Sequence, residues 1–380
     1  MNILIAPDSF KGSLSALRVS NAMERGIAKV DKSAHVIKIP LGDGGEGTIE
    51  NFLHSMKGSK CFVRVTDPLK RPIDAYYGIS GDRKTAIIEV AAASGLTTLK
   101  KEELRPDLAT SYGTGELIVD ALNKGIRSFI LCLGGSATND GGTGILKALG
   151  FRFFKENDEE LMDGGLSLKE LSYISKEAVD NRIYESTFIA ACDVDNPLTG
   201  RKGASSVFGP QKGASPSMVK ELNQALERYQ DVILEQLGVD VSVLQGGGAA
   251  GGIAAGLYAF LDAALLPGIE LVMNGSGVTT ILNEKKVDFI LTGEGKLDSQ
   301  TASGKVISGL CRLAKKNGIP IVALAGEVSL EEEIQEKMGL TSAFSIGNKP
   351  MTALDSMRDA ESLIENKTMQ IVRFYKKIKS

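Results

Sequence analysis

Five times along this chain a short apolar run ends in a loop of Gly, Asp, Ser or Asn and then gives way to helical periodicity. The runs are Ile3–Ala6, Val36–Leu41, Phe129–Leu133, Phe188–Cys192 and Phe289–Thr292. They lead into the loops Pro7–Ser13, Gly42–Gly47, Gly134–Asp140, Asp193–Pro197 and Gly293–Asp298. Strand, turn and helix in succession is the repeating unit of a parallel sheet, because parallel neighbours need a crossover between them. Ligands of such open sheets bind at the carboxyl ends of the strands. Small and acidic residues at those ends predict a metal–phosphate site.

The alternation is strict at both ends of the chain and broken between them. Two βα units open it. Strand Phe289–Thr292, helix Ser303–Asn317, strand Pro320–Ala325, helix Leu330–Lys337, strand Ala343–Ile346 and helix Leu354–Asn366 close it. Cys61–Thr66, Ile73–Ile79 and Thr85–Val90 instead follow one another closely, separated by Pro68, Pro72 and Gly81, as in an antiparallel meander. Downstream, Gly200–Gly213 reads as a long loop, Ser215 caps a helix that begins at Pro216 and runs to about Leu237, and an Ala/Gly-rich helix runs from Gly246–Gly248 to about Leu265. The fold class expected is α/β. Residues 1–60 and 281–380 form a discontinuous doubly wound (Rossmann- or flavodoxin-like) domain, interrupted by a mixed α/β domain over 61–280. Two sequential domains with a break near residue 200 are the alternative. A length of 380 residues agrees with two domains.

Composition excludes several classes. A net charge of -3 gives no electrostatic case for nucleic acid or an anionic membrane. The most apolar stretch, Ala249 to Met273, is interrupted by Asp262 and Pro267, so a buried helix is expected rather than a span. With no signal peptide and no CxxC pair among Cys61, Cys132, Cys192 and Cys311, a reduced cytoplasmic protein is expected. The two histidines, His35 and His54, leave little room for His-based chemistry, so a carboxylate base is expected.

Gly42–Gly47 and Gly246–Gly251 both match GxGxxG, and Asp67 closes a later strand at about the spacing of a dinucleotide fingerprint. Asp43 and Glu46, however, would repel a pyrophosphate unless a cation such as Mg²⁺ lay between them. In the second match, small residues can simply let helices pack closely. A Walker A motif and the protein-kinase signatures are absent. A phosphate site must then be built from Lys11 with helix N–H groups from Ser13 onward, and from the Gly134, Gly135, Ser136, Thr138 and Asn139 loop. Lys212, Thr114 and Ser111 are further donors, although a solvated surface role suits Lys212 equally. Asp193 follows a wholly apolar run, which suggests a partly desolvated carboxylate. Asp193 and Asp298 together suit one base and one metal ligand.

These loops also carry a resemblance. Ala6-Pro7-Asp8-Ser9-Phe10-Lys11-Gly12-Ser13-Leu14-Ser15, Pro40–Thr48, Gly134–Gly142, Ala191–Leu198, Val207–Gly213 and Gly293–Thr301 resemble, in order and through nearly the whole chain, the bacterial glycerate kinases of type 1. The resemblance implies ATP- and Mg²⁺-dependent phosphorylation of D-glycerate, with 2-phosphoglycerate the favoured product. It also implies a two-domain α/β enzyme with its site in the interdomain cleft. On that reading Asp193 accepts the hydroxyl proton. Asp43, Glu46 or Asp298 holds Mg²⁺, while Lys11, Ser13, Gly44, Gly45 and the Gly134–Asn139 loop with Lys212 cradle phosphates. Asp8 and Asp195 lie beside the substrate, and Arg71 either clasps its carboxylate or serves the surface. Two rivals remain: a nicotinamide-dependent oxidoreductase acting on a small hydroxy acid, and a non-catalytic binding protein with a hinged cleft.

Overall fold

The computed structural model describes residues 1–380 except 42–48, 50, 51, 54, 55, 276, 285, 300, 302–305 and 380, and it describes only the backbone at 269, 272, 274 and 275. The chain divides into two compact units. One comprises Met1–Asp43, His54–Met56 and Ile269–Ser380, and the other Gly44–Leu53 and Lys57–Gly268. The division falls at 57 and 268 rather than at 61 and 280. Helix Val278–Glu284 packs on helix Val306–Lys316, which carries this stretch into the first unit.

The first unit opens with β1 (Asn2–Ile5), helix α1 (Ala16–Ala28) and β2 (His35–Lys38). The Ser15 hydroxyl caps α1, accepting from the N–H of Arg18. Val19, Met23 and Ile27 make its buried stripe.

The second unit holds β3 (Ser59–Thr66), β4 (Pro72–Ile79), β5 (Thr85–Glu89), β6 (Ser128–Cys132), β7 (Arg152–Phe154), β8 (Tyr173–Ser175), β9 (Thr187–Ala191) and β10 (Ala264–Leu266). Its main sheet runs β10-β9-β6-β5-β4-β3. The β3–β4–β5 edge is the antiparallel meander expected, and β5, β6, β9 and β10 are parallel. Phe129, Ile130 and Leu131 of the central β6 are all buried, as a strand covered on both faces requires. Helix α2 (Tyr112–Asn123) docks on β3, where the Glu116 carboxylate accepts from the N–H and hydroxyl of Thr66 (both 2.7 Å). Helix α3 spans Pro216–Leu237, with the Ser215 hydroxyl accepting from the N–H of Met218. Two expectations fail here. Gly200–Gly213 contains helix Ala204–Phe208 and a tight turn at Pro210–Lys212. The Ala/Gly-rich helix covers only Ile253–Leu261, and Leu265 lies in β10, because Asp262 adopts a left-handed conformation (φ 50°) that ends the helix.

The chain then returns to the first unit with β11 (Phe289–Leu297), β12 (Ile321–Val328), β13 (Ser342–Ser345) and the long helix α4 (Ala353–Lys379). The sheet order is β13-β12-β11-β1-β2, every pair parallel. Counted within the unit this is 2-1-3-4-5, the flavodoxin-like doubly wound order. The winding reverses between β1 and β11, which makes that gap the switch point where ligands bind. Right-handed crossovers then place the helices of the two windings on opposite faces. α4 runs well beyond the expected Asn366, because Thr368 and Val372 continue its buried face. It lies against α1, fastened by Arg18–Glu361, Arg25–Glu361 and Arg25–Glu365 ion pairs. The units have separate cores: Ile3, Ile5, Phe289, Leu291 and Leu324 belong to one, and Tyr77, Phe129, Phe188, Tyr229 and Phe260 to the other. Among the described residues no helix is long and apolar enough to cross a membrane.

Candidate active site

At the switch point of the first unit, the segment after β1 runs beside the middle of β11. The N–H of Asp8 donates to the carbonyl of Gly293 (2.8 Å), and the Thr292 hydroxyl donates to the carbonyl of Ala6 (2.7 Å). Phe10–Leu14 closes on itself as a tight loop, with Gly12 left-handed at φ 78°. It carries the exposed Lys11. The Ser13 hydroxyl donates to the carbonyl of Met357 in α4 (2.7 Å), which ties this loop to α4.

The Gly293–Asp298 stretch is not the loop expected. β11 continues through Leu297, paired residue by residue with β12. Gly293 has a neighbouring backbone where a side chain would be, since a Cβ there would meet the carbonyl oxygen of Leu324 at 2.4 Å. Beyond the strand, the buried Thr301 hydroxyl donates to the Glu294 carboxylate (2.6 Å) and accepts from the N–H of Asp298 (3.2 Å), which ties the segment after β11 back to the strand. Asp8, Lys11, Glu294 and Asp298 thereby border one cavity of about 660 Å³, within the range of small-molecule sites.

Mg²⁺ usually takes one or two protein carboxylates and completes its shell with water and substrate phosphate oxygens. Among the described residues no group of three or more His, Cys, Asp or Glu forms a protein cage for a metal. The carboxylates Asp8, Glu294 and Asp298 on a cavity that also carries a lysine suit the phosphate-sharing arrangement. Asp43, Glu46, Gly44 and Gly45 lie outside the described residues, as does His54.

The second unit has its own polar centre. The Gly134–Asp140 loop leaves β6 and is tied to Ser94–Leu96 by backbone bonds from Leu96 to Gly135 (2.9 Å) and from Ala137 to Ser94 (2.9 Å). Only Gly134 and Gly135 are exposed. Ser136, Thr138, Asn139 and Asp140 are buried. Gly141 is left-handed (φ 64°) with the Tyr229 ring behind it, where a Cβ would come within 2.6 Å. Asp140 accepts from the N–H and hydroxyl of Ser111 (both 2.8 Å) and from the N–H groups of Gly142 and Gly144 (both 3.2 Å). Burial nevertheless pushes its carboxyl above the ordinary value.

Lys212 is neither solvated nor aimed outward. It is 2% exposed, and its ammonium donates to the Ser136 hydroxyl (2.8 Å) and the Thr138 carbonyl (2.6 Å). Burial brings its pKa down to about 7, against the pull of Asp140. Thr114, also buried, shares a hydroxyl contact with Ser94 (2.7 Å), while the Asn139 amide donates to the Ser205 hydroxyl (3.0 Å). Lys212, Asn139, Ser111 and Thr114 therefore hold the loop from behind. What the loop offers a ligand is the backbone at Gly134 and Gly135.

Asp193 and Asp195 follow the end of β9, and both are exposed. The N–H of Gly268 donates to the Asp193 carboxylate (2.8 Å) and fixes its direction. Arg71 is engaged by its own unit: its guanidinium donates to Asp67 (2.6 Å) and to Glu103 (2.6 and 3.3 Å). This bridge raises the guanidinium pKa, and Arg71 draws the Glu103 carboxyl down to about 2.

Of the dinucleotide pattern, Gly42–Gly47 lies outside the described residues, and its Asp67 is placed otherwise. Asp67 sits in the turn between antiparallel β3 and β4, accepting from the N–H groups of Leu69 and Arg71 (2.8 and 2.9 Å), not at the tip of a parallel strand beside β1. In Gly246–Gly251 the glycines serve close packing. A Cβ at Gly248 would meet the carbonyl of Pro197 at 2.2 Å, and one at Gly251 the carbonyl of Thr138 at 2.1 Å. Sequence reasoning missed Ile346, Lys349 and Met351, which border the first unit's cavity. A signal existed, since Gly347-Asn348-Lys349-Pro350 follows a strand just as the other loops do.

Comparison with known proteins gives one answer over the full length. The model of the glycerate kinase family matches residues 3–376. A glycerate kinase of Halalkalibacterium halodurans is 45% identical, over 97% of this chain and 97% of its own. A glycerate 2-kinase of Escherichia coli is 43% identical, over 95% of this chain and 93% of its own. A crystal structure from Salmonella typhimurium LT2, whose protein carries the provisional name glycerate kinase 2, matches with a TM-score of 0.91 at 42% identity, covering 100% of this chain and 99% of that one. With switch-point carboxylates, a loop lysine and a whole-length match in agreement, the chain belongs to the glycerate kinase family.

Proposed function

We propose that this protein transfers the γ-phosphoryl group of ATP to the 2-hydroxyl of D-glycerate, giving 2-phosphoglycerate and ADP. The observation that carries the reading is the gathering of Asp8, Glu294 and Asp298 with Lys11 around one cavity at the switch point of a doubly wound sheet, in a chain of this family. The choice of the 2-hydroxyl rests on the name of the Escherichia coli relative, a glycerate 2-kinase.

In the reaction the hydroxyl oxygen bonds to the γ-phosphorus. The bond from that phosphorus to the bridging oxygen breaks, ADP leaves with the electron pair, and the hydroxyl proton passes to a base. Asp193 is that base, its carboxylate oriented by the N–H of Gly268. Lys11 supplies a point charge to the phosphates. Asp8 and Asp298 would hold Mg²⁺, with Asp43 and Glu46 as further carboxylates. When bound, the ion would neutralise charge developing on the phosphate oxygens. The Gly134–Gly135 backbone offers further donors to anions, and Asp195 stands beside the acceptor. Such an enzyme works in the cytoplasm, where ATP is available.

The test is glycerate-dependent release of ADP by the wild type and by Asp193→Asn. Loss of a required base lowers kcat by about 10²–10⁴. A kcat for the variant within about threefold of wild type would remove Asp193 from the reaction.

A further inference from the structure

No step of the reaction gives a part to Lys212, although a buried ammonium is costly to keep. Its hydrogen bonds to the Ser136 hydroxyl (2.8 Å) and the Thr138 carbonyl (2.6 Å) fall on the residues that follow the exposed Gly134–Gly135 pair. The other buried polar groups of this stretch hold it less. The Thr138 hydroxyl and the Asn139 side-chain oxygen have no hydrogen-bond partner among the described residues, and the Asn139 amide donates to Ser205. Toward Ser94–Leu96 the loop is tied by backbone bonds, from Leu96 to Gly135 and from Ala137 to Ser94 (both 2.9 Å). Lys212 is thus the side-chain clamp on Ser136–Thr138, and it brings a full charge to that segment.

That charge lies next to an anion receiver. Gly135 is left-handed (φ 74°) and Gly134 is not, and successive backbone N–H groups in such a turn converge on an anion. The carbonyl of Gly135 is taken by the N–H of Leu96, so what the turn offers is its amides. Charged and titratable neighbours of the ammonium are few. The loop carries Asp140, whose pull favours the proton on Lys212. α3 carries Tyr229, kept protonated by burial and then by Asp140. Helix Ala204–Phe208 carries none. On the segment against Gly213, Glu103 is engaged by Arg71 and Arg105 by Asp107. Burial outweighs Asp140 and brings the Lys212 pKa down to about 7.

We propose that Lys212 is a positioning residue of the phosphoryl transfer, which holds Gly134–Gly135 in the shape that receives one substrate anion and supplies the positive charge behind it. Its ammonium does not touch the substrate. The anion is either the carboxylate of the acceptor or a phosphate of the donor. The inference rests on the kinase reading of the protein and adds to it that the loop binds its anion and the Lys212 proton together. Such coupling is reciprocal: the proton strengthens the loop's hold on the anion, and the anion strengthens the hold on the proton.

Proton uptake on binding tests this in the wild-type full chain. At about pH 8 carboxylates and phosphates have finished titrating, while Lys212 in the free protein is mostly neutral. Calorimetric titrations with D-glycerate and with ADP, each in two buffers of different ionisation enthalpy, should show a fraction of a proton taken up with one ligand and none with the other. Uptake with glycerate gives the loop to the acceptor's carboxylate, and uptake with ADP gives it to the donor's phosphates. No uptake with either would overturn the proposal. Lys212→Met keeps the apolar stem and removes the charge. At about pH 6.5 it should raise the Kd for that one ligand at least about tenfold, leave the other within about twofold, and abolish the uptake. A role confined to stability would lower the thermal midpoint of the variant and leave both Kd values and the uptake as they are, which would contradict the proposal. Neither binding nor uptake needs turnover. A protein that takes up the proton but leaves ATP intact in the presence of glycerate would refute the proposed function alone. One that phosphorylates glycerate without any uptake would refute this inference alone.

Discussion

Lys212 has an ammonium with no route to water, set beneath a loop whose only exposed part is a pair of glycines. Its hydrogen bonds to Ser136 and to the Thr138 carbonyl fix that loop's path. Burial lowers its pKa from 10.5 to about 7. Below about pH 7 the folded and unfolded chains both carry the charge, and its burial cost is felt in full. Between about 7 and 10.5 the unfolded chain binds more protons than the folded one, so this residue's contribution to stability rises with pH. Urea midpoints for wild type and Lys212→Met at about pH 6.5 and about pH 9 should show the wild type gaining on the variant at the higher pH. A difference that does not change with pH would show that the ammonium is not desolvated. Asp193 shows the opposite case. An apolar strand before a carboxylate does not desolvate it, because strand residues are buried by their sheet while the residue after the last one leaves it.

The strand-end segments determine what the site can be. β11 runs five residues beyond the expected Thr292, to Leu297, through Gly293 and Gly295, because β12 extends alongside it to Val328. Gly293→Val should lower the thermal midpoint, by overpacking worth about 1–3 kcal/mol, since the obstructing atom is the Leu324 backbone oxygen. An unchanged midpoint would mean that the two strands can part at no cost. Elements whose signal is local were legible in the sequence: the capped α1 and α3, the βα alternation at both ends, and the β3–β5 meander. Elements set by a distant partner were not. β10 is three residues long and exists as a strand through its pairing with β9, and α4 owes its last turns to the groove beside α1. The site followed the same division. Asp8, Lys11 and Asp298 were visible as residue types at strand ends. Ile346, Lys349 and Met351 on the same cavity were not, because what they border depends on the order in which the strands lie.

Across the molecule, two α/β units with separate cores are threaded by one chain that leaves the first unit after β2 and re-enters it at Ile269, ahead of β11. Such threading brings β1 and β11, nearly 300 residues apart in sequence, into one parallel pair (Ile3 beside Phe289), and the switch point exists only because of it. Membership of the glycerate kinase family extends over residues 3–376, so both units belong to the conserved architecture and neither is an accessory. The central claim is a chemical one, and ³¹P NMR of the products formed from D-glycerate, ATP and Mg²⁺ tests it most directly. The account predicts ADP and 2-phosphoglycerate in equal amounts, with neither formed when glycerate is omitted. ATP left intact in the presence of glycerate, or a phosphate ester on the 3-hydroxyl instead, would contradict it.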